Sequence, residues 1–243
     1  CLWLVSCSPS QLRALPHVMK FVELVRKTRL ASSRATTREL ASTPTLFGEI
    51  RQPQATRYLA VPTVSSERRQ FIPIGYLDSE VICGNKILFV DDTSLFTFGV
   101  LTSTMHNAWT RYTGGRLKID YSYSNTIVYN NFPWPGFAGE SLSDKHRSAI
   151  EQAAQAVLDA RTQFPGSSLA DLYDPLTMPP ALLKAHQKLD TAVDAAYQPS
   201  GGKKTYATDA DRVAFLFDLY QRITSLLPPA KPSKAKPQTK VIA

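Results

Sequence analysis

The tetrapeptide Pro133-Trp134-Pro135-Gly136 constrains the fold of this chain most, because neither a helix nor a central strand readily continues through it. Before it, short β-type runs surround one helical segment, and after it helical patterns follow one another. The chain has 243 residues, enough for one large core or two modest ones. We therefore expect an α+β fold, with N-terminal linker helices, a mixed β-rich domain around one central helix, and an α-helical C-terminal domain.

The N-terminal region is predicted to be helical and basic. Ser8-Pro9-Ser10-Gln11 fits a capping box with proline at the first helical position, and a second helix should begin near Pro16. That helix is predicted to bury an apolar stripe, which consists of Val18, Phe21, Val22 and Val25.

Seven basic residues and one acid lie between Arg13 and Arg38. Lys20 and Lys27 are seven residues apart and share a helix face, and Arg34 follows them. A solvated helix face explains such a run most simply. The alternative is an arm that contacts phosphates, since Lys and Arg neutralise phosphate without needing base geometry.

The middle region is predicted to contain short strands at residues 58–61, 71–74, 80–90, 116–123 and 126–129. One helix, capped by Ser94 after the Asp91-Asp92 turn, should carry the apolar residues from Leu95 to Trp109 and stop at Gly114-Gly115.

The C-terminal region is predicted to form three main helices, which begin at Ser143, Pro180 and Thr208. Residues 228–243 alternate proline and lysine with small polar residues and should be disordered. We place domain boundaries at 1–50 (helical basic linker), 51–135, 136–227 and 228–243.

The net charge of +8 is unevenly distributed. Residues 1–130 carry +6, residues 131–227 carry −2, and residues 228–243 carry +4. A basic excess indicates the kind of partner rather than the fold, and here it points to the first half of the chain.

Motifs for catalysis are missing. The sequence has neither a GxGxxG nor a GxxxxGK[ST] loop, and it lacks the Asn/Asp-Pro-Pro-aromatic tetrapeptide of amino-methylating enzymes. Its histidines have no metal-ligand spacing, and each is expected to be structural. Asp91-Asp92 is explained by a turn before a helix cap, although a nuclease metal pair is the rival. We predict no catalytic, cofactor-binding or metal-binding residue in this chain.

The compartment is indicated by two further features. Three cysteines without CxxC spacing favour a reducing compartment, and no run of residues is apolar enough for a membrane span.

The strongest local signal is the predicted strand at residues 116–123. Side chains alternate along a strand, so Lys118, Asp120 and Ser122 would share one face with Arg116. The other face would pack a core with four residues, namely Leu117, Ile119, Tyr121 and Tyr123. Lys can donate to guanine O6 and N7 and Asp can accept from cytosine N4, so Lys118 and Asp120 could read one G·C pair. The alternative is a half-exposed strand with a weak surface ion pair.

Several motifs in order, over residues 2–227, resemble the C-terminal half of the MmeI-type DNA methyltransferases, which are single-chain type IIG/IIL restriction–modification enzymes. The most specific is the last of these strings: Val64-Ser65-Ser66-Glu67-Arg68-Arg69, Leu101-Thr102-Ser103-Thr104-Met105-His106-Asn107, Gly114-Gly115-Arg116-Leu117, and Tyr129-Asn130-Asn131-Phe132-Pro133-Trp134-Pro135.

The resemblance implies a target recognition domain followed by the family's C-terminal helical domain. It implies that the parent enzyme methylates adenine N6 in double-stranded DNA with S-adenosylmethionine, in the cytoplasm of a prokaryote. The methyltransferase domain, and the nuclease domain of members that cut, would lie upstream of Cys1.

The resemblance also implies where bases are read. The family's positions correspond here to Lys86, Lys118, Asp120 and Ser122. Some members carry an acidic residue and Arg where Lys118 and Asp120 stand, which changes the expected base. Residues expected to contact the DNA backbone or support the site are Ser65, Ser66, Arg68, Arg69, Arg116, Lys20, Lys27 and Arg34.

Two alternative functions stay open at this point. One is a non-catalytic protein-interaction or structural module, and the other is a specificity subunit that acts in trans.

Overall fold

The computed structural model describes residues 1–52, 56–136 and 141–225. The chain forms two compact units, Cys1–Gln52 and Pro53–Ala243. Within the described ranges, no helix has both the length and the apolar character needed to cross a membrane. The lysine- and proline-rich segment at residues 228–243, predicted to be disordered, lies outside those ranges.

The first unit is helical, as predicted. It contains α1 (Pro9–Arg13), α2 (Pro16–Leu30), α3 (Ala35–Glu39) and a 3₁₀ turn (Leu40–Ser42). The Ser8 capping box is confirmed, because Ser8 Oγ accepts from Gln11 N and the Gln11 side chain accepts from Ser8 N. The predicted apolar stripe of α2 is buried only at Val22, and Phe21 is 62% exposed.

Two small antiparallel sheets open the second unit. The first has the order β3-β1-β4 and the second the order β2-β6-β5. The strands are β1 (Arg57–Pro62), β2 (Val64–Ser65), β3 (Gly75–Asp78), β4 (Ile87–Val90), β5 (Gly115–Leu117) and β6 (Asp120–Ser122). The predicted strand at 58–61 is confirmed by β1, and the α+β class is confirmed by these sheets together with the helices.

Four predicted strands differ from the structure, and the one at residues 116–123 is described with the candidate site. Residues 71–74 form a buried loop, because Pro73 cannot donate to a ladder and Ile72 N donates instead to Asn107 Oδ1 at 2.8 Å. Only the end of the 80–90 segment forms a strand, after a turn in which Ile87 N donates to Gly84 O. The 126–129 segment forms a π-helical turn (Asn125–Tyr129) that Ser124 caps.

The predicted central helix is two helices, α4 (Leu95–Thr102) and α5 (Thr104–Thr113). The break falls at Ser103, whose hydroxyl caps α5 by accepting from His106 N. Asp190 reinforces that start, because its carboxylate accepts from both Thr104 N and Thr104 Oγ1 at 2.7 Å. The predicted cap at Ser94 and the stop at Gly114 are confirmed.

The three predicted C-terminal helices begin where the sequence predicts, and an unpredicted short helix lies between the first two. In chain order the four are α6 (Asp144–Thr162), the unpredicted α7 (Leu169–Leu172), α8 (Pro180–Ala196) and α9 (Asp209–Thr224). Helix α4 approaches α6 closely at Gly99, where a Cβ atom would lie 2.8 Å from Ile150 Cγ2. One hydrophobic core therefore joins the helices on both sides of the Pro133–Gly136 boundary.

Two fully buried histidines complete this core. His106 Nε2 lies 2.9 Å from the Tyr123 hydroxyl, and His186 Nε2 lies 2.7 Å from the Tyr173 hydroxyl. Burial lowers the pKa of each imidazole to about 3. The expectation that these histidines are structural fits these positions.

The two histidines should make the fold acid-sensitive. In the unfolded chain each imidazole takes up a proton near pH 6.5, whereas in the fold it stays neutral down to about pH 3. The free energy of unfolding should therefore fall as pH drops below 6.5, by about 2–3 kcal/mol between pH 7.5 and 5.5. Urea denaturation of the wild type and of a His106→Gln/His186→Gln variant measures this. Equal pH slopes in the two proteins would show that burial of these imidazoles is not the cause.

Candidate DNA-reading hairpin

A β-hairpin presents the residues that the sequence singles out. Residues 116–123, predicted to be one strand, fold back on themselves, so that β5 pairs with β6 and Leu117 stands opposite Asp120. Lys118 and Ile119 form the turn. The prediction that Leu117 and Ile119 pack a core is wrong, because their side chains are 53% and 64% exposed. The even spacing of Lys118, Asp120 and Ser122 along one strand face is lost with the predicted strand.

The turn brings a lysine to the hairpin tip in a left-handed conformation. Lys118 has a φ of +58° and is the one described non-glycine residue with a positive φ. Arg116 supports the turn, because its guanidinium lies 3.9 Å from the centre of the Tyr121 ring and donates to Ile119 O at 3.3 Å. Lys118 itself is exposed at the tip.

A third strand adds the serine- and arginine-containing segment to the hairpin. In β2, Val64 pairs with Ser122 and Ser65 pairs with Tyr121. Immediately after β2, Glu67 N donates to Asp120 Oδ1 at 3.4 Å. The structure therefore brings together five predicted site residues in one small sheet, namely Ser65, Arg116, Lys118, Asp120 and Ser122.

The Ser66–Arg69 turn leads away from this sheet. Ser66 Oγ accepts from Arg68 N at 3.3 Å, and Ser66 O accepts from Arg69 N at 3.1 Å. Arg68 is exposed and Arg69 half-buried, whereas Ser65 at the start of the segment is buried.

Thr63 links the two sheets and brings Lys86 towards the hairpin sheet. Thr63 N donates to Lys86 O at 2.9 Å, and Thr63 O accepts from Tyr123 N at 2.8 Å. The Thr63 hydroxyl adds a second bond to Lys86 O at 3.0 Å. Lys86 is exposed at the start of β4, so its backbone is fixed while its side chain stays accessible.

Two side chains of α5 fix the segments that flank the hairpin sheet. Arg111, in α5, pairs with Asp209 of α9 and donates to the carbonyls of Arg69 and Gln70. Trp109 Nε1 donates to Val128 O at 3.1 Å, within the Asn125–Tyr129 turn. Neither contact has a sequence signature, since each joins segments that lie far apart along the chain.

The basic residues of the first unit have different environments. Arg29 donates to the carbonyls of Leu40, Thr43 and Leu46, and Arg38 donates to those of Ser32 and Ser33, so both guanidinium groups stabilise the unit itself. Lys20, Lys27 and Arg34 are exposed.

The Asp91-Asp92 turn has the structure of a helix start. Asp92 Oδ1 accepts from Ser94 N at 2.9 Å, and Oδ2 accepts from the Thr97 hydroxyl. Across the described ranges, no cluster of three or more His, Cys, Asp or Glu side chains could hold a metal ion. The two bonds of Asp92 fit the interpretation of Asp91-Asp92 as a turn that precedes the Ser94 helix cap.

Family models match nearly the whole chain. Residues 1–136 match the MmeI target recognition domain, and residues 142–228 match the MmeI C-terminal domain. The chain belongs to the MmeI family. Both sheets and all twelve predicted site residues lie within residues 1–136, the region that matches the target recognition domain.

Two individual relatives agree with this assignment. DNA methyltransferase A of Bacillus subtilis (strain 168) is 36% identical over 225 residues, which is 92% of this chain and 24% of that protein. A solved structure of the type IIL restriction–modification enzyme MmeI in complex with DNA matches 93% of this chain and 29% of its own, with 50% identity and a TM-score of 0.85. This MmeI-family chain thus spans about a quarter of the length of these relatives.

Proposed function

We propose that this chain recognises a short sequence in double-stranded DNA on behalf of a DNA adenine-N6 methyltransferase of a restriction–modification system. The observation that carries the proposal is the hairpin sheet, because residues expected to read bases or support that reading converge there in a family whose MmeI member is solved in complex with DNA. A two-stranded β-ribbon has the dimensions to enter the major groove, where base pairs are distinguishable.

Methyl transfer belongs to the parent enzyme in this proposal. The relative named as a DNA methyltransferase is about four times as long as the shared region, and an upstream methyltransferase domain would bind S-adenosylmethionine. The sequence lacks the motifs for that cofactor and for holding the target amine, so we assign no step of methyl transfer to its residues. As part of a restriction–modification system, the parent enzyme would act in the cytoplasm of a prokaryotic cell.

Base readout is proposed for Lys118, Asp120, Ser122 and Lys86. Lys118 would donate to guanine O6 or N7 from the hairpin tip, and Asp120 would accept from cytosine N4. The bond from Glu67 N uses one carboxylate oxygen of Asp120, so the second oxygen can meet the base. The two side chains would thus read one G·C pair from the tip and the adjoining strand, rather than along one strand face.

Phosphate contact is proposed for Arg68, Arg69, Lys20, Lys27 and Arg34. Arg116 has a supporting role in this scheme, since its guanidinium already bonds the turn. Ser66 shapes the Arg68–Arg69 turn, and Ser65 supports the sheet from a buried position.

Neutralising Arg68 and Arg69 together, as Arg68→Gln/Arg69→Gln, should weaken binding to every duplex sequence by a similar factor. Each lost phosphate contact should reduce the slope of log affinity against log salt by about 0.9. Lys184→Gln removes an exposed charge in the acidic C-terminal region and serves as the matched control. A loss confined to one DNA sequence would contradict phosphate contact by this pair.

The proposed function is tested by expressing the full-length protein that carries this chain in a host without adenine methylation. Sequencing that detects N6-methyladenine should reveal one short methylated motif. A specificity subunit acting in trans would give that motif only when a separate methyltransferase subunit is supplied. Absence of methylation together with absence of sequence-selective DNA binding would contradict the proposal and favour an interaction module.

A further inference from the structure

The turn at the hairpin tip contains two residues that do not suit it. A two-residue hairpin with positive φ at its first position alone has the form of a type II′ turn, which favours glycine there. Here that position is Lys118, with a φ of +58°, and the second position is the β-branched Ile119. Both residues cost free energy that Gly followed by a small polar residue would avoid.

The described part of the second unit shows no contact that would offset the cost of these two residues. The Ile119 side chain is 64% exposed and the neighbouring Leu117 is 53% exposed. Within residues 56–136 and 141–225, neither turn side chain forms a described hydrogen bond or ion pair, or belongs to the buried core. A strained position without internal compensation indicates a role outside the chain.

The tip is nevertheless held in a defined position. Arg116 donates to Ile119 O and stacks on Tyr121, and Tyr121 pairs in turn with Ser65 of β2. Tyr123, which directly follows β6, connects the sheet to the core, because its buried hydroxyl forms a hydrogen bond with His106 Nε2. An exposed apolar side chain on a preorganised support loses little entropy when it binds a partner.

We propose that Ile119 contacts the 5-methyl group of a thymine in the major groove, beside the base pair that Lys118 and Asp120 read; this inference rests on the proposed DNA-recognition function. Thymine is the one standard base with an apolar group on its major-groove edge. Insertion of Ile119 as a wedge between base steps is the competing contact, and wedges of this kind are typical of minor-groove proteins. A basic two-stranded ribbon fits the major groove better.

Replacement of thymine by uracil tests the contact, because uracil lacks only that methyl group. Once the methylated motif of the full-length protein is known, duplexes are made in which each thymine of the site is replaced in turn. One replacement should weaken binding by about fourfold, the effect of one buried methyl-sized group. Ile119→Ala should bind the thymine and uracil duplexes equally at that position, and Ile119→Val should keep the difference. Ile127→Ala, at another exposed isoleucine, is the matched control and should also keep it.

The outcomes separate this inference from the function on which it rests. A protein that binds its site selectively but ignores uracil at every position overturns the Ile119 contact and leaves DNA recognition standing. If Ile119→Ala weakens thymine and uracil duplexes alike and reduces DNA bending, the wedge is correct and the thymine contact is wrong. No selective DNA binding by the wild type overturns both proposals. The exposure of Ile119 predicts that all three variants unfold at the wild-type temperature, which a melting curve checks.

Discussion

Exchanging the charges of the hairpin residues, as Lys118→Glu with Asp120→Arg, should change the preferred base pair at one position of the methylated motif. The wild-type pair suits guanine on one strand and cytosine on the other, and the exchanged pair places acceptor and donor the other way round. Loss of one good base contact corresponds to about 1–3 kcal/mol, or roughly 5- to 150-fold in discrimination. Sequencing of methylated sites in cells that express the variant measures the change.

A matched control keeps the net charge but alters residues away from the hairpin. Lys184→Glu with Asp218→Lys changes exposed side chains of α8 and α9 and should leave the motif as in the wild type. An unchanged motif in the hairpin variant would show that Lys118 and Asp120 do not read bases. A motif that changes at several positions would indicate that the substitutions shift the whole hairpin relative to the DNA.

Replacing Arg212 with alanine should lower the free energy of unfolding by about 3–5 kcal/mol. Arg212 donates to Asp194 Oδ2 at 3.0 Å, and their side chains are only 11% and 5% exposed. Burial already raises the pKa of Asp194 to about 6 against the opposing effect of Arg212. Removal of the guanidinium therefore leaves a buried carboxyl group without its partner.

The same variant should show a definite pH dependence. Because the pKa of Asp194 is raised in the fold, protonation relieves the buried charge, and the loss of stability in Arg212→Ala should grow as pH rises from 5 to 8. Urea denaturation at several pH values measures this dependence.

The matched control is Asp218→Asn, which removes an exposed ion pair with Arg222 and should change the free energy of unfolding by less than about 0.5 kcal/mol. The double variant Asp194→Leu/Arg212→Met should recover most of the loss; a double variant as unstable as the single one would contradict this account.

Helix starts could be predicted from the sequence because their determinants are local. Ser8, Ser94, Ser143 and Thr208 each cap a helix with a side-chain oxygen that accepts from a backbone N–H three residues later. A local pattern does not predict the break between α4 and α5 at Ser103. Its capping bond divides one apolar periodic run into two helices, and the start of the second also depends on Asp190, 86 residues further along the chain.

The hairpin could not be predicted because its turn violates the usual turn chemistry. Residues 116–123 alternate apolar and polar side chains like a single strand, and neither Lys118 nor Ile119 is a turn-forming residue. The resemblance to a family indicated residues of which five meet in the hairpin sheet, while the single-strand geometry predicted for residues 116–123 was wrong. The supporting contacts of Thr63, Arg111 and His106 form only when separate segments of the chain pack together, so no local sequence pattern predicts them.

The central claim, that this chain recognises DNA in sequence-specific fashion, is tested most directly by fluorescence anisotropy. The full-length protein is titrated with a labelled duplex containing the methylated motif and with a random duplex, between 50 and 200 mM salt. We predict that log affinity falls linearly with log salt for both duplexes, and that the motif binds about 10³-fold or more tightly than the random sequence. Equal affinity for the two duplexes, or binding that does not depend on salt, would contradict the claim.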